Sequence, residues 1–390
     1  MERIRWSNRY LIVFAVSVII LLAPVFAFQI AVDPFGTWGA PLTVGFNHYK
    51  PFQKDTERLF KPYQYRNMAP RVVFFGSSRV NYIMPPQWPG VPDDKVFNYG
   101  INAAHIPEEA YFFHSAMDTH EPEVIAIGID MLQFSSYLNK LQSGFSQRRL
   151  NMVKWSPLTS AASNAIDTVL SFDVLRRSME TIEENKASRR NDELFMRGWN
   201  TRGNKRHYNL REYKRVLWKF MQGTYQNYRF SKGNWRMFQQ MISRAQETDA
   251  TLYLYINPIH CDFLTTIYLT GKWDEFERFK KRLVTVGPVR DFNYVNSVTR
   301  VRDNFIDPSH FLPPIGVRMT QIMDSGKATD DFGIILTPDN IDRVLLEQRQ
   351  AIEEWMASHP QMKQLQEAGV STHNERLFQA KANPIILRDL

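Results

Sequence analysis

Short apolar runs, each ending in a turn, recur in two parts of the chain. They occupy residues 72–75, 96–100, 124–128 and 251–256, and a further short strand is predicted near 289–292. Fully apolar runs of this length are typical of buried strands in a parallel sheet. Helical patterns alternate with the runs at residues 107–119, 273–285 and 316–323. This alternation predicts an α/β fold with a mostly parallel sheet built from βαβ units.

The longest apolar segment lies near the N-terminus. Residues 10–32 contain no charged side chain, and a helix of that length crosses the ~30 Å hydrocarbon core of a bilayer. Arginines at positions 3, 5 and 9 precede the segment, which predicts a cytoplasmic N-terminus and a main body outside the cytoplasm. A cleaved signal peptide is the alternative, but its apolar region is normally about 7–15 residues and ends in a small-x-small site. We therefore favour an uncleaved transmembrane anchor.

Changes in the pattern divide the rest of the chain. The predicted segments are a cytoplasmic N-terminus at 1–9, the anchor at 10–32, a connector at 33–69, an α/β domain at 70–325 and a C-terminal extension at 326–390. The connector is rich in proline and aromatic residues and shows little periodicity. A polar, basic and helix-like stretch at about 135–248 is predicted to be an insertion into the α/β domain. The extension contains a charged helical pattern at about 338–358, followed by a polar tail.

Composition narrows the classes of function. The chain has 390 residues and a net charge of +8, which is compatible with nucleic acid, a membrane surface or an acidic substrate. It lacks zinc-ligand spacing, an aromatic RNA-binding motif and a dense Lys/Arg block, so we predict no metal site and no nucleic-acid partner. No glycine-rich nucleotide loop is present, and we predict no cofactor. Cys261 is the only cysteine, which excludes an internal disulfide.

The candidate chemistry lies at the two ends of the α/β pattern. The strand at 72–75 ends in Gly76-Ser77-Ser78-Arg79, and the carboxyl edge of a parallel sheet is where ligands and reactive groups collect. A serine needs a base to accept its proton, and the base needs a third group to hold its tautomer. Asp307 and His310 are three residues apart in a turn and can present both side chains at one rim. The alternative for the first stretch alone is a strand followed by a serine-capped helix.

The order of these motifs resembles the SGNH (GDSL-like) superfamily of hydrolases and acyltransferases, whose fold is a three-layer α/β domain. The resemblance covers residues 70–133 and roughly 250–325. Gly76-Ser77-Ser78 stands where the family has Gly-Asp-Ser, so the resemblance makes Ser78 the nucleophile. Asp307 and His310 match the family's Asp-x-x-His block and would complete a catalytic triad. Asn98-Tyr99-Gly100 matches the second block, so the backbone N–H groups of Gly100 and Ser78 would hold the oxyanion.

The third block departs from the family pattern. The family has Gly-x-Asn-Asp with the asparagine as an oxyanion donor, whereas this chain has Gly128-Ile129-Asp130-Met131. A carboxylate repels a developing oxyanion, and loss of one donor typically costs about 10²–10³-fold in rate. Asn102 is a candidate replacement donor. Arg79 and His260 are candidates for substrate binding, although a structural salt bridge for Arg79 and simple packing for His260 stay open.

Within the superfamily, the anchored layout resembles proteins that assist O-acylation of cell-surface polymers, such as the alginate O-acetylation proteins and the D-alanyl-transfer protein of lipoteichoic acid synthesis. This resemblance implies a single-pass protein of the bacterial cytoplasmic membrane with a periplasmic or extracellular domain. It also implies acyl transfer, with acetyl favoured, to an exported polysaccharide, and a multi-pass membrane O-acyltransferase as the acyl-supplying partner. The alternatives are a carbohydrate acetylesterase and a non-catalytic scaffold or glycan-binding subunit. An α/β-hydrolase fits less well because no Gly-x-Ser-x-Gly motif is present.

Overall fold

The computed structural model describes residues 2–53, 56–84, 86–138, 141–153, 172–188, 195–196, 199–200, 209–328 and 330–362. Its strands are β1 (Val72–Gly76), β2 (Val96–Gly100), β3 (Val124–Ile129), β4 (Phe195–Met196), β5 (Trp199–Asn200), β6 (Thr251–Ile256), β7 (Val289–Asp291), β8 (Phe305–Asp307), β9 (His310–Phe311) and β10 (Ile334–Leu336). Its helices are α1 (Glu2–Val32), α2 (Glu57–Met68), α3 (Ile106–Met117), α4 (Gln147–Val153), α5 (Phe172–Ser188), α6 (Leu210–Lys219), α7 (Lys232–Gln246), α8 (Cys261–Leu269), α9 (Trp273–Leu283), α10 (Pro313–Ser325) and α11 (Ile341–Ser358).

The chain folds as two compact units. The first, called here the anchor unit, comprises Met1–Asn67 and Ser146–Met196. The second, the sheet unit, comprises Met68–Phe145 and Arg197–Leu390. The insertion predicted at 135–248 is therefore divided, since α4 and α5 belong to the anchor unit and α6 and α7 to the sheet unit. Parts of this insertion, and the polar tail at 363–390, lie outside the described residues.

A mostly parallel sheet forms the centre of the sheet unit. Among the described residues it has six strands in the order β10-β7-β6-β3-β1-β2. Every neighbouring pair is parallel except β10 with β7. The predicted α/β class and mostly parallel sheet are confirmed. The sheet extends past residue 325, where the domain was predicted to end, because β10 pairs with β7 and forms the edge of the sheet.

Helices pack on both faces of this sheet because successive side chains of a buried strand point to opposite faces. On one face, Phe74 of β1 joins a core that includes Met319 of α10. On the other face, Phe75 contacts Phe113 of α3, with ring centroids 5.1 Å apart. α7 packs against α3 and so forms part of that outer layer. The helices predicted at 107–119, 273–285, 316–323 and 338–358 correspond to α3, α9, α10 and α11.

The anchor unit contains the long apolar helix α1, most of which is exposed. The segment Arg9–Val32 of this helix contains an 18-residue window with a mean hydropathy of 3.0 and is long and apolar enough to cross a membrane. The helix ends at Val32, directly before the predicted Asp-Pro-Phe-Gly break. The ammonium group of Lys50 donates to the carbonyl oxygens of Val32 (2.8 Å) and Asp33 (2.6 Å), a favourable place for a cation because the last carbonyls of a helix carry partial negative charge. The connector predicted without periodicity contains α2, which the sequence analysis did not foresee.

Candidate active site

The turn after β1 places Ser78 at the carboxyl edge of the sheet. β1 pairs with β2 so that Gly76 lies opposite Gly100, and the chain leaves the sheet at this point. Gly76 has a φ of +147°, and a Cβ atom there would lie 2.6 Å from the Gly128 carbonyl oxygen. Only glycine tolerates both the backbone conformation and the close approach of β3. A short 3₁₀ turn, Val80–Tyr82, then carries the chain away.

Ser78, His310 and Asp307 form a hydrogen-bonded chain. The Ser78 Oγ atom lies 2.9 Å from His310 Nε2, although the two residues are 232 positions apart. His310 Nδ1 lies 2.8 Å from Asp307 Oδ2. A carboxylate only accepts hydrogen bonds, so the ring proton belongs on Nδ1 and Nε2 is left to accept the Ser78 hydroxyl proton. This is the arrangement that activates a serine as a nucleophile.

A small hairpin holds the acid and the base. β8 ends at Asp307, β9 begins at His310, and the two residues face each other as an antiparallel pair. The second carboxylate oxygen of Asp307 accepts the backbone N–H groups of Ser309 (2.7 Å) and His310 (3.0 Å). The spacing of three residues therefore lets one tight turn fix both the carboxylate and the imidazole.

The environment keeps Asp307 ionised. Burial by itself would raise the pKa of this carboxyl group, but the His310 imidazole and the two backbone N–H groups outweigh burial and lower the pKa below its ordinary value. The His310 side chain remains 22% exposed, so reactants can approach it. The Tyr82 ring packs beside the imidazole with centroids 5.0 Å apart. Tyr82 was not among the predicted site residues.

The two adjacent serines have different partners. The Ser77 hydroxyl donates to Asp130 Oδ2 at 2.6 Å, whereas Ser78 pairs with His310. Only Ser78 is therefore next to a base that is oriented by a third group. This geometry agrees with the choice of Ser78 over Ser77 that the motif comparison implied.

Arg79 does not face a substrate space. Its guanidinium is buried, forms an ion pair with Asp130 Oδ1 at 2.6 Å, and donates to the Ser309 carbonyl oxygen at 3.1 Å. The structure thus has the structural salt bridge that was the alternative to substrate binding. Arg79 connects the serine turn to the end of β3 and to the loop that carries Asp307 and His310.

Asp130, at the position of the missing asparagine, is an internal anion with several donors. It is buried and accepts hydrogen bonds from Ser77 and from Asn257 Nδ2 (3.3 Å) in addition to the Arg79 ion pair. Arg79 compensates its charge, so Asp130 is not an uncompensated anion beside the serine. The partner Asn257 directly follows β6 at the same sheet edge, and this position after a strand was the sequence signal that could have identified it.

The predicted oxyanion donors differ in their availability. The Gly100 N–H donates to Asn98 Oδ1 at 2.9 Å, so it is already engaged inside the fold, contrary to the prediction. Within the described part of the chain, no acceptor is bonded to the Ser78 N–H. The exposed Asn102 accepts from Asn81 Nδ2 at 3.2 Å through its Oδ1 atom. A donor role for Asn102 stays a prediction, and Asn81 is a neighbouring amide that was not foreseen.

His260 is packed in the interior and is not at the serine rim. Its side chain is buried, and its Nδ1 atom accepts the Asp262 backbone N–H at 3.1 Å. The ring lies among those of Phe305 and Trp355. Of the two alternatives for His260, the structure therefore has packing in the interior and not a substrate contact at the serine rim. The backbone N–H of His260 donates to the Pro308 carbonyl oxygen at 3.0 Å and so supports the loop that bears Asp307 and His310.

Within the described ranges, no group of three or more His, Cys, Asp or Glu residues is placed to hold a metal ion. No protein-family model matches the chain, and no curated protein matches its sequence.

Proposed function

We propose that this protein is a membrane-anchored serine acyltransferase that moves an acyl group, with acetyl favoured, onto a hydroxyl of an exported polysaccharide. The observation that carries the proposal is the Ser78–His310–Asp307 chain, with contacts of 2.9 and 2.8 Å. The resemblance of the motifs to the SGNH superfamily supports the reaction class. The apolar helix α1 supports a site of action at a membrane.

In the proposed reaction, Ser78 Oγ attacks the carbonyl carbon of an acyl donor while His310 Nε2 takes the hydroxyl proton. The tetrahedral intermediate collapses, and the leaving group departs with the proton from His310, which leaves an acyl-Ser78 ester. An acceptor hydroxyl then loses its proton to Nε2 and attacks this ester, and Ser78 recovers the proton as its Oγ atom departs. Asp307 keeps the Nδ1–H oriented and stabilises the imidazolium.

The negative oxygen of each tetrahedral intermediate needs hydrogen-bond donors. We assign this role to the Ser78 N–H, with Asn102 as the second candidate. Gly100 is not included, because its N–H donates to Asn98. With fewer built-in donors than the family pattern, the proposed enzyme suits an activated acyl donor better than an ordinary ester. A multi-pass membrane O-acyltransferase in the bacterial cytoplasmic membrane would supply such a donor to a periplasmic or extracellular sheet unit.

Paired serine variants test the assignment. The full-length protein in detergent is treated with a fluorophosphonate probe, which labels only an activated serine. We expect wild type and Ser77→Ala to be labelled and Ser78→Ala to lose labelling. Ser77 is the matched control because it is the adjacent hydroxyl and donates to Asp130. Thermal melts should show that Ser78→Ala remains folded.

The same proteins are then given p-nitrophenyl acetate with and without a polysaccharide acceptor. We expect acetylated polysaccharide from wild type and none above background from Ser78→Ala. Release of acetate without transfer would identify an esterase instead. Absence of labelling and turnover in folded wild type would leave the scaffold alternative and reject the catalytic proposal.

A further inference from the structure

A second cavity, separate from the serine site, lies in the sheet unit. It has a volume of about 190 Å³ and is bounded by α6, the start of α8 and the C-terminal end of α11. Its polar and aromatic lining includes Tyr213, Lys214, His260, Arg300, Arg302 and Trp355. Ser78, Asp307 and His310 do not line it. The polar side chains that line this cavity therefore do not serve the triad directly.

Two buried N–H groups at this cavity have no acceptor. The Asp262 backbone N–H donates to His260 Nδ1, so that nitrogen is an acceptor and the ring proton belongs on Nε2. His260 is only 3% exposed. Among the described residues its Nε2 atom has no hydrogen-bond partner, and the same is true of the indole nitrogen of Trp355. Buried donors are nearly always satisfied in native proteins, so these two donors are suited to an acceptor that a ligand supplies.

The charges of the lining favour an anionic acceptor. Lys214, Arg300 and Arg302 lie in the lining together with one carboxylate, Asp262. Arg302 is packed over the Tyr213 ring at 4.4 Å, so the cation of interest is Arg300. The Tyr213 hydroxyl lies between His260 Nδ1 (2.7 Å) and an oxygen of that carboxylate (3.1 Å). Arg300 is exposed and forms no ion pair with any described residue. The lining thus offers positive charge and N–H donors, which match carboxylate or phosphate oxygens.

The size of the cavity and its aromatic side chains limit the rest of the ligand. A cavity of ~150 Å³ holds benzene, whereas sites for drug-sized ligands are typically about 300–1,000 Å³. The present cavity, of about 190 Å³, is nearer in size to the benzene-sized cavity, so it fits one ring or a short chain. The Tyr213 and Trp355 rings in the lining are packed against Arg302 (4.4 Å) and His359 (3.7 Å), so the cavity walls are already fixed by protein contacts.

We propose that this cavity binds a small organic anion, whose carboxylate or phosphate oxygens accept from His260 Nε2 and Trp355 Nε1. In this arrangement Arg300 balances the negative charge, and the rest of the anion is no larger than one sugar or aromatic ring. The proposal does not depend on the acyltransferase function, because none of these residues belongs to the triad.

Calorimetric titration of the full-length protein in detergent tests the site. The probes are acetate, glucuronate and glucose 6-phosphate at constant ionic strength, with neutral glucose as the control ligand. We expect saturable binding of at least one anion and none of glucose. The carboxylate and phosphate probes distinguish the two anion chemistries. Ser78→Ala should bind as wild type does, because the triad is not part of the site.

Variants of the lining locate the binding. Arg300→Gln and Trp355→Phe should each weaken binding by about tenfold or more, since each removes a donor to the anion. Arg300 is exposed, so its replacement should leave the fold intact. Arg343→Gln is the matched control, because Arg343 is an exposed arginine of α11 that pairs with Glu347 at 2.8 Å. It should bind as wild type does.

Three results would overturn the proposal. Wild type could show no saturable binding of any anion, which would mean that the orphaned donors are hydrated. Binding could be equal in wild type and in both lining variants, which would place it elsewhere. Binding could also disappear in Ser78→Ala, which would place the anion at the serine site.

Discussion

Two buried carboxyl groups of the sheet unit, Asp130 and Glu109, have different hydrogen-bond and ion-pair partners. Asp130 has a guanidinium partner, whereas among the described residues Glu109 of α3 has only the Gln133 amide as a donor. Burial, more than the neighbouring carboxyl groups, raises the pKa of Glu109 well above its ordinary value, and the Gln133 hydrogen bond offsets this only in part. Gln133 also accepts the Asp130 backbone N–H at 2.6 Å, so Glu109 supports the strand end indirectly.

The raised pKa of Glu109 predicts a pH-dependent cost to stability. The folded state prefers the protonated carboxyl. Below the ordinary pKa of about 4.3 the group is protonated in both states and no charge is buried. The stability of the folded protein falls relative to this level as the pH rises toward the folded pKa. Glu109→Gln keeps the shape without the ionisable group. We expect it to have a higher free energy of unfolding than wild type at pH 7, and a difference near zero at pH 4.

Chemical denaturation of both proteins at the two pH values measures this difference. Glu247→Gln, at an exposed position, is the control and should follow wild type at both. A Glu109→Gln protein that is less stable at pH 7 would contradict the assignment of a raised pKa.

At the scale of elements, the triad depends on the contact between α10 and the turn after Ser78. Gly316 of α10 lies against this turn, and a Cβ atom there would come within 2.9 Å of Ile83 Cα and 3.0 Å of the Tyr82 carbonyl oxygen. These are backbone atoms, which cannot move aside as the end of a flexible side chain can. The Tyr82 ring in turn contacts His310, so the position of the helix affects the base.

Gly316→Ala should therefore be destabilising and should impair the site. We expect a loss of about 1–3 kcal/mol in the free energy of unfolding, as for other overpacked positions, together with slower fluorophosphonate labelling of Ser78. The measurements are denaturation and the rate of labelling. Gly233→Ala is the matched control, because its new Cβ would be 3.6 Å from the nearest atom, Ser231 Oγ. It should be neutral, or stabilising by up to about 1 kcal/mol. Equal effects of the two substitutions would refute the argument.

For the whole molecule, the apolar helix and the single cysteine make the predicted topology measurable. Cys261 is buried, and burial raises the pKa of its thiol to about 12, so it should not react with maleimides in the folded protein. The Glu247 side chain in the sheet unit is 67% exposed. A cysteine introduced there reports the compartment of this unit against an unreactive background.

We expect Glu247→Cys to react with a membrane-impermeant maleimide in intact spheroplasts, because the arginines before α1 predict a cytoplasmic N-terminus. The wild type should remain unlabelled until it is denatured. Labelling of Glu247→Cys only after the membrane is disrupted would place the sheet unit in the cytoplasm and would reject extracytoplasmic acylation.

The central parallel strands and several of the helices were predictable from sequence because they depend on local patterns, whereas α2 was not predicted. The apolar runs at 72–75, 96–100, 124–128 and 251–256 each correspond to a strand, since a short β-favouring run has few other ways to bury its side chains. The strand ends also indicated where polar groups would collect. The short run in β10 is an exception. It forms a strand because it pairs with β7, and a run of three residues is too short to predict that pairing from sequence.

Partners distant in the chain were decided only by the tertiary structure. No local pattern shows that Arg79 pairs with Asp130, that Asn98 engages the Gly100 N–H, or that His260 is packed in the interior. Each outcome depends on how the ends of several strands and loops come together. The sequence determined which residues stand at those ends, because periodicity and turn chemistry are local. Folding alone determined which atoms meet there, since hydrogen bonds and ion pairs depend on distances that only packing sets.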